Sequence, residues 1–339
     1  MNRKTVLTLA AAIVIFLAGI LLSRFVSQQT RAASPPAVDP KQVVDSMYPP
    51  EMAQAATERE NRGGSAFSRK FCFVVYESLA DGNPGTIIAA YTDGIGGTIR
   101  VIRGQGDGKY GVVFEPTEFS FGGGPCEMGL VDLDADGRKE IMVSFANYRI
   151  FTADWYFRWD GVQLINLGPT HGTAPLFTAF NTTGHLDLDH DGTLEIMSPA
   201  DASLQRDEEG FIPNAPIHVY KLSGGVYIFD RTLVDYGFFV RETGKPRTEE
   251  IAVNLTEAPT GSYVLKVING KAGGSRRVSS ARIVLNGVEI LSPNNFSQQV
   301  EFLTIPVTLV RHNIIEVTLA GTPLGEIIFT IEDTSAQPQ

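Results

Sequence analysis

The sequence predicts an all-β protein, a partial or small β-propeller followed by a β-sandwich, behind an N-terminal hydrophobic helix. Three observations lead there. Short apolar runs are separated by Asp-Gly and Gly-Gly pairs in a chain of 339 residues with 34 glycines, 20 phenylalanines, 10 tyrosines and few helix-forming runs. The pairs Asp81-Gly82, Asp136-Gly137 and Asp191-Gly192 recur 55 residues apart each time, so one supersecondary unit is copied. After Arg247 the repeat gives way to six or seven alternating strands. The length exceeds what one core usually serves, so two domains are expected.

Residues 1–26 carry Arg3 and Lys4 and then run apolar from Val6 to Leu22, the layout of an export signal. The run is long for a signal-peptide core and short for a membrane span; an uncleaved anchor is favoured, with Thr30-Arg31-Ala32 as the alternative cleavage site. The protein is thus expected to be exported, periplasmic or at the cell surface, and either membrane-anchored or secreted. Residues 27–66 read as a linker, with a short helix after Pro49-Pro50. Export permits a disulfide between the two cysteines, Cys72 and Cys126, but two separately buried thiols fit equally well. A net charge of −10 argues against nucleic acid as a partner, since phosphate binding needs a basic footprint.

Residues 67–240 hold the repeat. Each unit reads strand, Asp-Gly turn, apolar strand, hairpin: Phe71–Tyr76, Thr86–Tyr91 and Thr98–Ile102 in the first, with Trp155–Trp159 and Ile217–Tyr220 as third strands of the later ones. Two units carry an acidic loop, VDLDADGRKEIMVSF from Val131 and LDLDHDGTLEIMSPA from Leu186. Aspartates at every second position, a glycine for the sharp turn and a glutamate at the ninth place wrap hard oxygens around one centre, which suits Ca2+ better than Mg2+. The expected ligands are Asp132, Asp134, Asp136, the Arg138 carbonyl and Glu140, and, in the second site, Asp187, Asp189, Asp191, the Thr193 carbonyl and Glu195. A solvated acidic turn is the plainer alternative, but two copies of one pattern favour calcium. An EF-hand needs its glutamate at the twelfth place and flanking helices. The first unit has only Asp81.

These loops, IRVIRGQGDGKYGVVF from Ile99 to Phe114, and the stretch Phe121-Gly122 to Pro125 resemble FG-GAP/VCBS repeats, the calcium-loop blades of integrin α-type propellers and exported bacterial proteins. The resemblance covers roughly residues 70 to 237 and implies four-stranded blades. Three units are fewer than the ~4 to 8 of a closed propeller. Either a degenerate fourth is present, hinted at by Glu250-Ile251, or the array is open and another domain covers its edges. Residues 241–334 read as that domain, with Asn286-Gly287 as a type I′ hairpin and 335–339 as a tail. SSARIVLNGVEILSPNNFSQQVE resembles an immunoglobulin-like module found at the end of exported bacterial proteins.

No GxSxG, HExxH or glycine-rich phosphate loop occurs. His185 and His190 flank or lie within the second acidic loop, where the carboxylates favour a hard cation over zinc; His171, His218 and His312 are isolated. The insertion from Asp201 to Ala215, with Asp207, Glu208 and Glu209, reads as a solvated loop, although long loops on propellers often bind ligands. Trp155, Tyr156, Phe157 and Trp159 are expected to place one side in the core, the other being a possible sugar- or protein-binding face. The leading expectation is a non-catalytic, calcium-stabilised recognition or adhesion scaffold with a protein or carbohydrate ligand. The alternatives are an extracytoplasmic polysaccharide-acting enzyme and a structural envelope component.

Overall fold

The computed structural model describes residues 39–62, 70–77, 85–94, 96–106, 108–116, 121–122, 126–147, 151–168, 176–179, 183–199 and 208–335. The hydrophobic N-terminal segment, Asp81-Gly82, His171, Asp201, Asp207 and most of the Phe121–Pro125 stretch lie outside them or have undescribed side chains. No helix among the described residues is long and apolar enough to cross a membrane.

The 55-residue period becomes three antiparallel meanders. The first sheet has the order β1 (Lys70–Glu77), β2 (Thr86–Thr92), β3 (Gly96–Gly106) and β4 (Lys109–Phe114), with β5 (Phe121–Gly122) pairing β3. In the second, β6 (Cys126–Val131), β7 (Glu140–Asn147) and β8 (Phe151–Trp159) follow one another; β9 (Leu164–Asn166) and β10 (Leu176–Ala179) both pair β8. The third begins with β11 (Gly184–Leu186), β12 (Glu195–Pro199), β13 (Ile217–Ser223) and β14 (Val226–Val240). Each acidic loop joins the first two strands of its meander.

The sheets stack face to face, and strand alternation assigns each residue a side. Ile88, Ala90, Ile99 and Val101 of the first sheet meet Ile141, Val143, Phe145, Trp155 and Phe157 of the second in one buried cluster. The opposite faces of the same strands go elsewhere: Ile87, Ala89 and Tyr91 pack on the N-terminal helices, while Tyr156 packs with Ile196 and Tyr227 of the third sheet. Both sides of the aromatic strand Trp155–Trp159 are therefore core, and no exposed aromatic face exists there. β2, buried along its whole length, is a strand covered on two sides.

The disulfide that the sequence left open is formed. Cys72 on β1 and Cys126 on β6 are bridged across the first two sheets, with Cα atoms 5.8 Å apart and a separation of 54 positions in sequence.

Two short helices close one end of the stack, where a linker with one helix was expected. α1 (Pro40–Ser46) starts on Asp39, whose carboxylate accepts from the Lys41 N–H at 2.9 Å, with Pro40 preset for the first turn. α2 (Pro50–Asn61) follows Pro49. Val43, Val44 and Tyr48 are buried on the first sheet. The Tyr48 hydroxyl donates to the Thr92 carbonyl at 2.6 Å, and the Tyr91 hydroxyl to the Val44 carbonyl at 2.9 Å.

The sandwich closes the other end. β14 is a single strand of fifteen residues: its first part pairs β13, and from Leu233 to Val240 it pairs β21 (Glu326–Asp333). β21 in turn pairs β16 (Tyr263–Asn269), which pairs β19 (Phe302–Val307). The facing sheet has the order β15 (Thr248–Asn254), β20 (His312–Ala320), β17 (Ser280–Leu285), β18 (Val288–Leu291). Phe239, Leu265, Val267, Ile283, Val317 and Phe329 are among its core residues. Asn286 and Gly287 take φ of 51° and 78°, as the type I′ hairpin requires. Glu250-Ile251 belong to β15 of the sandwich and start no fourth blade. None of the buried apolar clusters among the described residues joins the first sheet to the third; the helices pack on the first sheet and the sandwich on the third.

Part of the long insertion is docked. Asn214 donates its N–H to the Asn254 carbonyl at 2.8 Å, accepts from the Asn254 N–H at 3.0 Å, and reaches Asp235 with its side-chain amide at 2.6 Å. Burial pushes the Asp235 carboxyl up to about 7, against the hydrogen bonds from Tyr236 and Asn214.

Two outcomes follow from this architecture. Cross-linking a loop of 54 residues restricts the unfolded chain by about 4 kcal/mol in the chain-entropy picture, so Cys72→Ala with Cys126→Ala is expected to lower stability by about 2–4 kcal/mol in denaturant titration. An unchanged midpoint would refute it. For Asp235, a folded pKa near 7 lies above an unfolded value near about 3.9, so its contribution is full below about 4 and is lost as pH rises to 7. The stability difference between Asp235→Asn and the parent should therefore change between pH 4 and 7 and level off above, which melting curves across that range can check.

Candidate cation sites

The two acidic loops fold alike, bond for bond. At the start of each, an aspartate accepts from the glycine five residues on: Gly137 N–H to Asp132 Oδ2 and Gly192 N–H to Asp187 Oδ2, both 3.2 Å. The second aspartate accepts from the third, Asp136 N–H to Asp134 Oδ1 at 3.3 Å and Asp191 N–H to Asp189 Oδ1 at 3.2 Å. The third accepts from the residue after glycine, Arg138 N–H to Asp136 at 2.7 Å and Thr193 N–H to Asp191 at 2.8 Å. Gly137 and Gly192 sit at φ of 86° and 92°, a region costly for a residue with Cβ. The residue two before each, Ala135 or His190, is also left-handed, at 55° and 60°.

Each closing glutamate turns inward. Glu140 is fully buried and Glu195 is 1% exposed. Glu140 Oε2 accepts from the Leu133 N–H at 2.8 Å, and Glu195 Oε2 from the Leu188 N–H at 2.7 Å. The two leucines are themselves buried, each in the next layer along the chain: Leu133 packs with Ile196 and Tyr227 of the third sheet, Leu188 with Ile268 and Ile328 of the sandwich. The loops also touch, the Leu194 N–H donating to the Leu133 carbonyl at 2.7 Å.

Carboxylate oxygens of Asp132, Asp134 and Asp136 lie within 4.8 Å of one another, as do those of Asp187, Asp189 and Glu195. Asp132 Oδ1, Asp187 Oδ1 and Glu195 Oε1 are buried with no hydrogen-bond partner. Buried, unpartnered carboxylate oxygens converging with other acids are a donor set that fits a hard divalent cation. Of the expected ligands, all eight carboxylates are in the loops as read from sequence. At Arg138 and Thr193 the structure shows the N–H groups engaged, each with the aspartate two residues before.

Two participants escaped the sequence reading. Arg158 on β8 reaches Asp134 Oδ2 at 2.5 Å and Glu140 Oε1 at 3.0 Å. Lys221 on β13 pairs with Asp189 and, at 2.9 Å, with Asp191 Oδ2, and stands 4.0 Å from Glu195 Oε1. The repeat period carried a signal for the first: Arg103 and Glu77 stand 55 residues before Arg158 and Asp132, and they form an ion pair at 3.6 Å in the first unit. Desolvation raises the Glu140 carboxyl despite the Leu133 and Arg158 contacts. Desolvation also pushes Glu195 up to about 7. Lys221, bonded to Asp189 and Asp191, is raised, and Asp191 is lowered in return.

The histidines diverge. His185 Nε2 faces the Tyr156 hydroxyl at 3.0 Å, while His190 Nδ1 pairs with Glu301 Oε1 on the sandwich at 2.7 Å. Neither joins a cluster of acids among the described residues, so no zinc pair forms. His218 meets the edge of Phe229, and His312 stacks on Phe211 at 3.9 Å.

No family model matches the chain, and no curated protein matches it in sequence. Solved structures similar to it include an exo-β-1,3-galactanase from Phanerochaete chrysosporium, at 12% identity and a TM-score of 0.20, covering 76% of this chain and 67% of that one. A GH32 β-fructofuranosidase from Bombyx mori matches at 10% identity and a TM-score of 0.24, covering 74% and 63%. A glycoside hydrolase family 43 arabinoxylan arabinofuranohydrolase from Bacillus subtilis matches at 9% and 0.20, covering 78% and 79%. The FG-GAP/VCBS resemblance is thereby overturned: no model of that family matches, and the similar structures are glycoside hydrolases. With it go the integrin-type and adhesion attributes, the immunoglobulin-like assignment of the sandwich, and the expectation that the chain is not an enzyme. At these identities and TM-scores the hydrolases assign the chain no activity of its own.

Lys221 holds the aspartates that a cation at the second loop would need. If that loop takes calcium, freeing them with Lys221→Gln, at about 1 kcal/mol for a partly exposed pair, is expected to tighten its binding there about fivefold. Calcium titration calorimetry of the variant checks this, and weaker binding would refute it.

Proposed function

We propose that each acidic loop holds a calcium ion and that the sheet stack so fixed is the body of an extracytoplasmic, polysaccharide-acting enzyme. The observation that carries the cation half is the set of buried, unpartnered oxygens of Asp132, Asp187 and Glu195, each aimed into a cluster of further carboxylates. Asp132, Asp134, Asp136 and Glu140 would serve the first ion, with the Arg138 carbonyl; Asp187, Asp189, Asp191 and Glu195 would serve the second, with the Thr193 carbonyl. Calcium in these loops fixes turns, and the reading gives it no part in bond cleavage.

Export is supported by the Cys72–Cys126 bridge, since disulfides persist in oxidising compartments, and by the apolar N-terminal segment. Carbohydrate enters as the class of substrate to test. A similar exo-β-1,3-galactanase structure is complexed with β-1,3-galactotriose, and a similar fructofuranosidase structure with fructosylnystose. The reading names no catalytic residue.

Removing calcium with EDTA is expected to lower the melting temperature by several degrees, and Asp134→Ala with Asp189→Ala to abolish that sensitivity. Identical melting with and without chelator would sink the cation half. Reducing-end release from a panel of β-galactans, fructans and arabinoxylans, assayed with calcium present, tests the enzymatic half. A stable, calcium-loaded protein that releases no sugar from any of them overturns it.

A further inference from the structure

We propose a second ligand site, on the sandwich and apart from the acidic loops, that takes a carboxylate-bearing saccharide of the uronic-acid type. A cavity of about 480 Å³ opens there between the segment before β17 and the turn before β21; Arg276, Arg277, Ser279, Thr322, Pro323 and Leu324 line it. That volume lies within the range of small-molecule sites, about 300–1,000 Å³.

Backbone strain marks the place independently. Among the described residues five non-glycine positions have left-handed φ. Ala135 and His190 shape the acidic loops and Asn286 the type I′ turn. The remaining two, Arg276 at 59° and Leu324 at 69°, both line this cavity. Neither arginine nor leucine favours that region, and such residues cluster where a site holds them. The surroundings are tight enough to do so. The Glu326 N–H donates to the Arg276 carbonyl at 2.8 Å, and the Leu324 N–H to the Arg241 carbonyl at 2.7 Å. A Cβ on Gly321 would stand 2.6 Å from Ser279 Oγ, and one on Gly325 2.7 Å from Val278.

The lining names the ligand. Arg276 lines the cavity and is 41% exposed, with one nitrogen on Glu326 at 3.0 Å; the planar guanidinium carries further donors in a pattern that matches a carboxylate. Arg277 is held by Glu301 at 2.7 Å and by the carbonyl of Gln298, itself a lining residue, at 3.1 Å. Arg276 and Arg277 are each offset by a glutamate, Glu326 and Glu301, so recognition of a carboxylate rests on the guanidinium N–H groups those pairs leave over and not on a net positive charge. Hydroxyls of Ser279 and Thr322 suit sugar hydroxyls, and Pro323 with the 61% exposed Leu324 suits the apolar face of a pyranose. A small inorganic anion would use the arginine alone and leave the rest unmatched.

The site goes beyond the polysaccharide reading and can stand without it. The test is titration calorimetry of the intact chain with oligogalacturonate, a neutral oligosaccharide of equal length, and sulfate, each with calcium and with EDTA. Oligogalacturonate is expected to bind, several-fold more weakly when salt is raised from 50 to 300 mM. Arg276→Gln and Thr322→Val are each expected to weaken it at least tenfold, Thr322→Val at an unchanged melting temperature and Arg276→Gln at a lowered one, because Glu326 loses its partner. The proposal is overturned if oligogalacturonate gives no heat, if the neutral sugar or sulfate binds as tightly, or if both folded variants bind like the parent. A chain that binds oligogalacturonate in this pattern yet hydrolyses nothing keeps this site and loses the enzymatic reading. A chain that hydrolyses polysaccharide but shows no oligogalacturonate binding does the reverse.

Discussion

Two buried glutamates set the terms for the middle of this molecule. Glu140 and Glu195 each enter a sheet interior to accept the N–H of a leucine seven residues earlier, and that bond folds the acidic loop back over its own first strand. Removing an ionised carboxylate from water costs several kcal/mol unless it is compensated. The two copies compensate differently. Glu140 has Arg158 on its second oxygen at 3.0 Å, whereas the nearest cation to Glu195 Oε1 is Lys221 at 4.0 Å, too far for a hydrogen bond. Desolvation accordingly takes the Glu195 carboxyl up to about 7. The loops are one design with two electrostatic settings.

The same bonds explain how the second meander is joined to the third and the third to the sandwich. Each glutamate fixes the backbone of a leucine, and each leucine points out of its own sheet into what comes next. Leu133 enters the interface with the third sheet. Leu188, in the equivalent place, enters the sandwich beside Ile268 and Ile328. The sandwich therefore stands where a fourth repeat would, receiving the plug that the third repeat offers. β14 makes the joint continuous in backbone, since one strand serves both bodies.

Much of this was legible in the sequence. A fixed period reports a copied unit, so the 55-residue spacing located the meanders, and alternation located the strands within them; Thr86–Tyr91 became Thr86–Thr92 and Trp155–Trp159 the end of Phe151–Trp159. Asn286-Gly287 located its hairpin because few residues accept two left-handed positions in succession. What was not legible depends on packing between units. Alternation at Trp155–Trp159 assigns residues to two faces without saying that both are covered. Nor does spacing say that Cys72 and Cys126, 54 residues apart, face one another across two sheets. The loop carboxylates could be read because their ligand pattern is local. Arg158 and Lys221 were missed because they arrive from another strand, and the insertion before β13 throws Lys221 off the period.

The fourth place of the acidic loop shows how one backbone constraint acquires different uses. Ala135 and His190 both take left-handed φ, so the loop itself demands the conformation in both copies. In the first copy this place holds only a methyl group. In the second it holds an imidazole that pairs with Glu301 and packs on Phe302, with ring centroids 5.0 Å apart, at the edge of the sandwich. Glu301 is also the partner of Arg277. A contiguous chain of contacts thus runs from the second acidic loop through His190 and Glu301 to a wall of the sandwich cavity. The first loop, with Ala135 at this place, makes no such contact with the sandwich among the described residues.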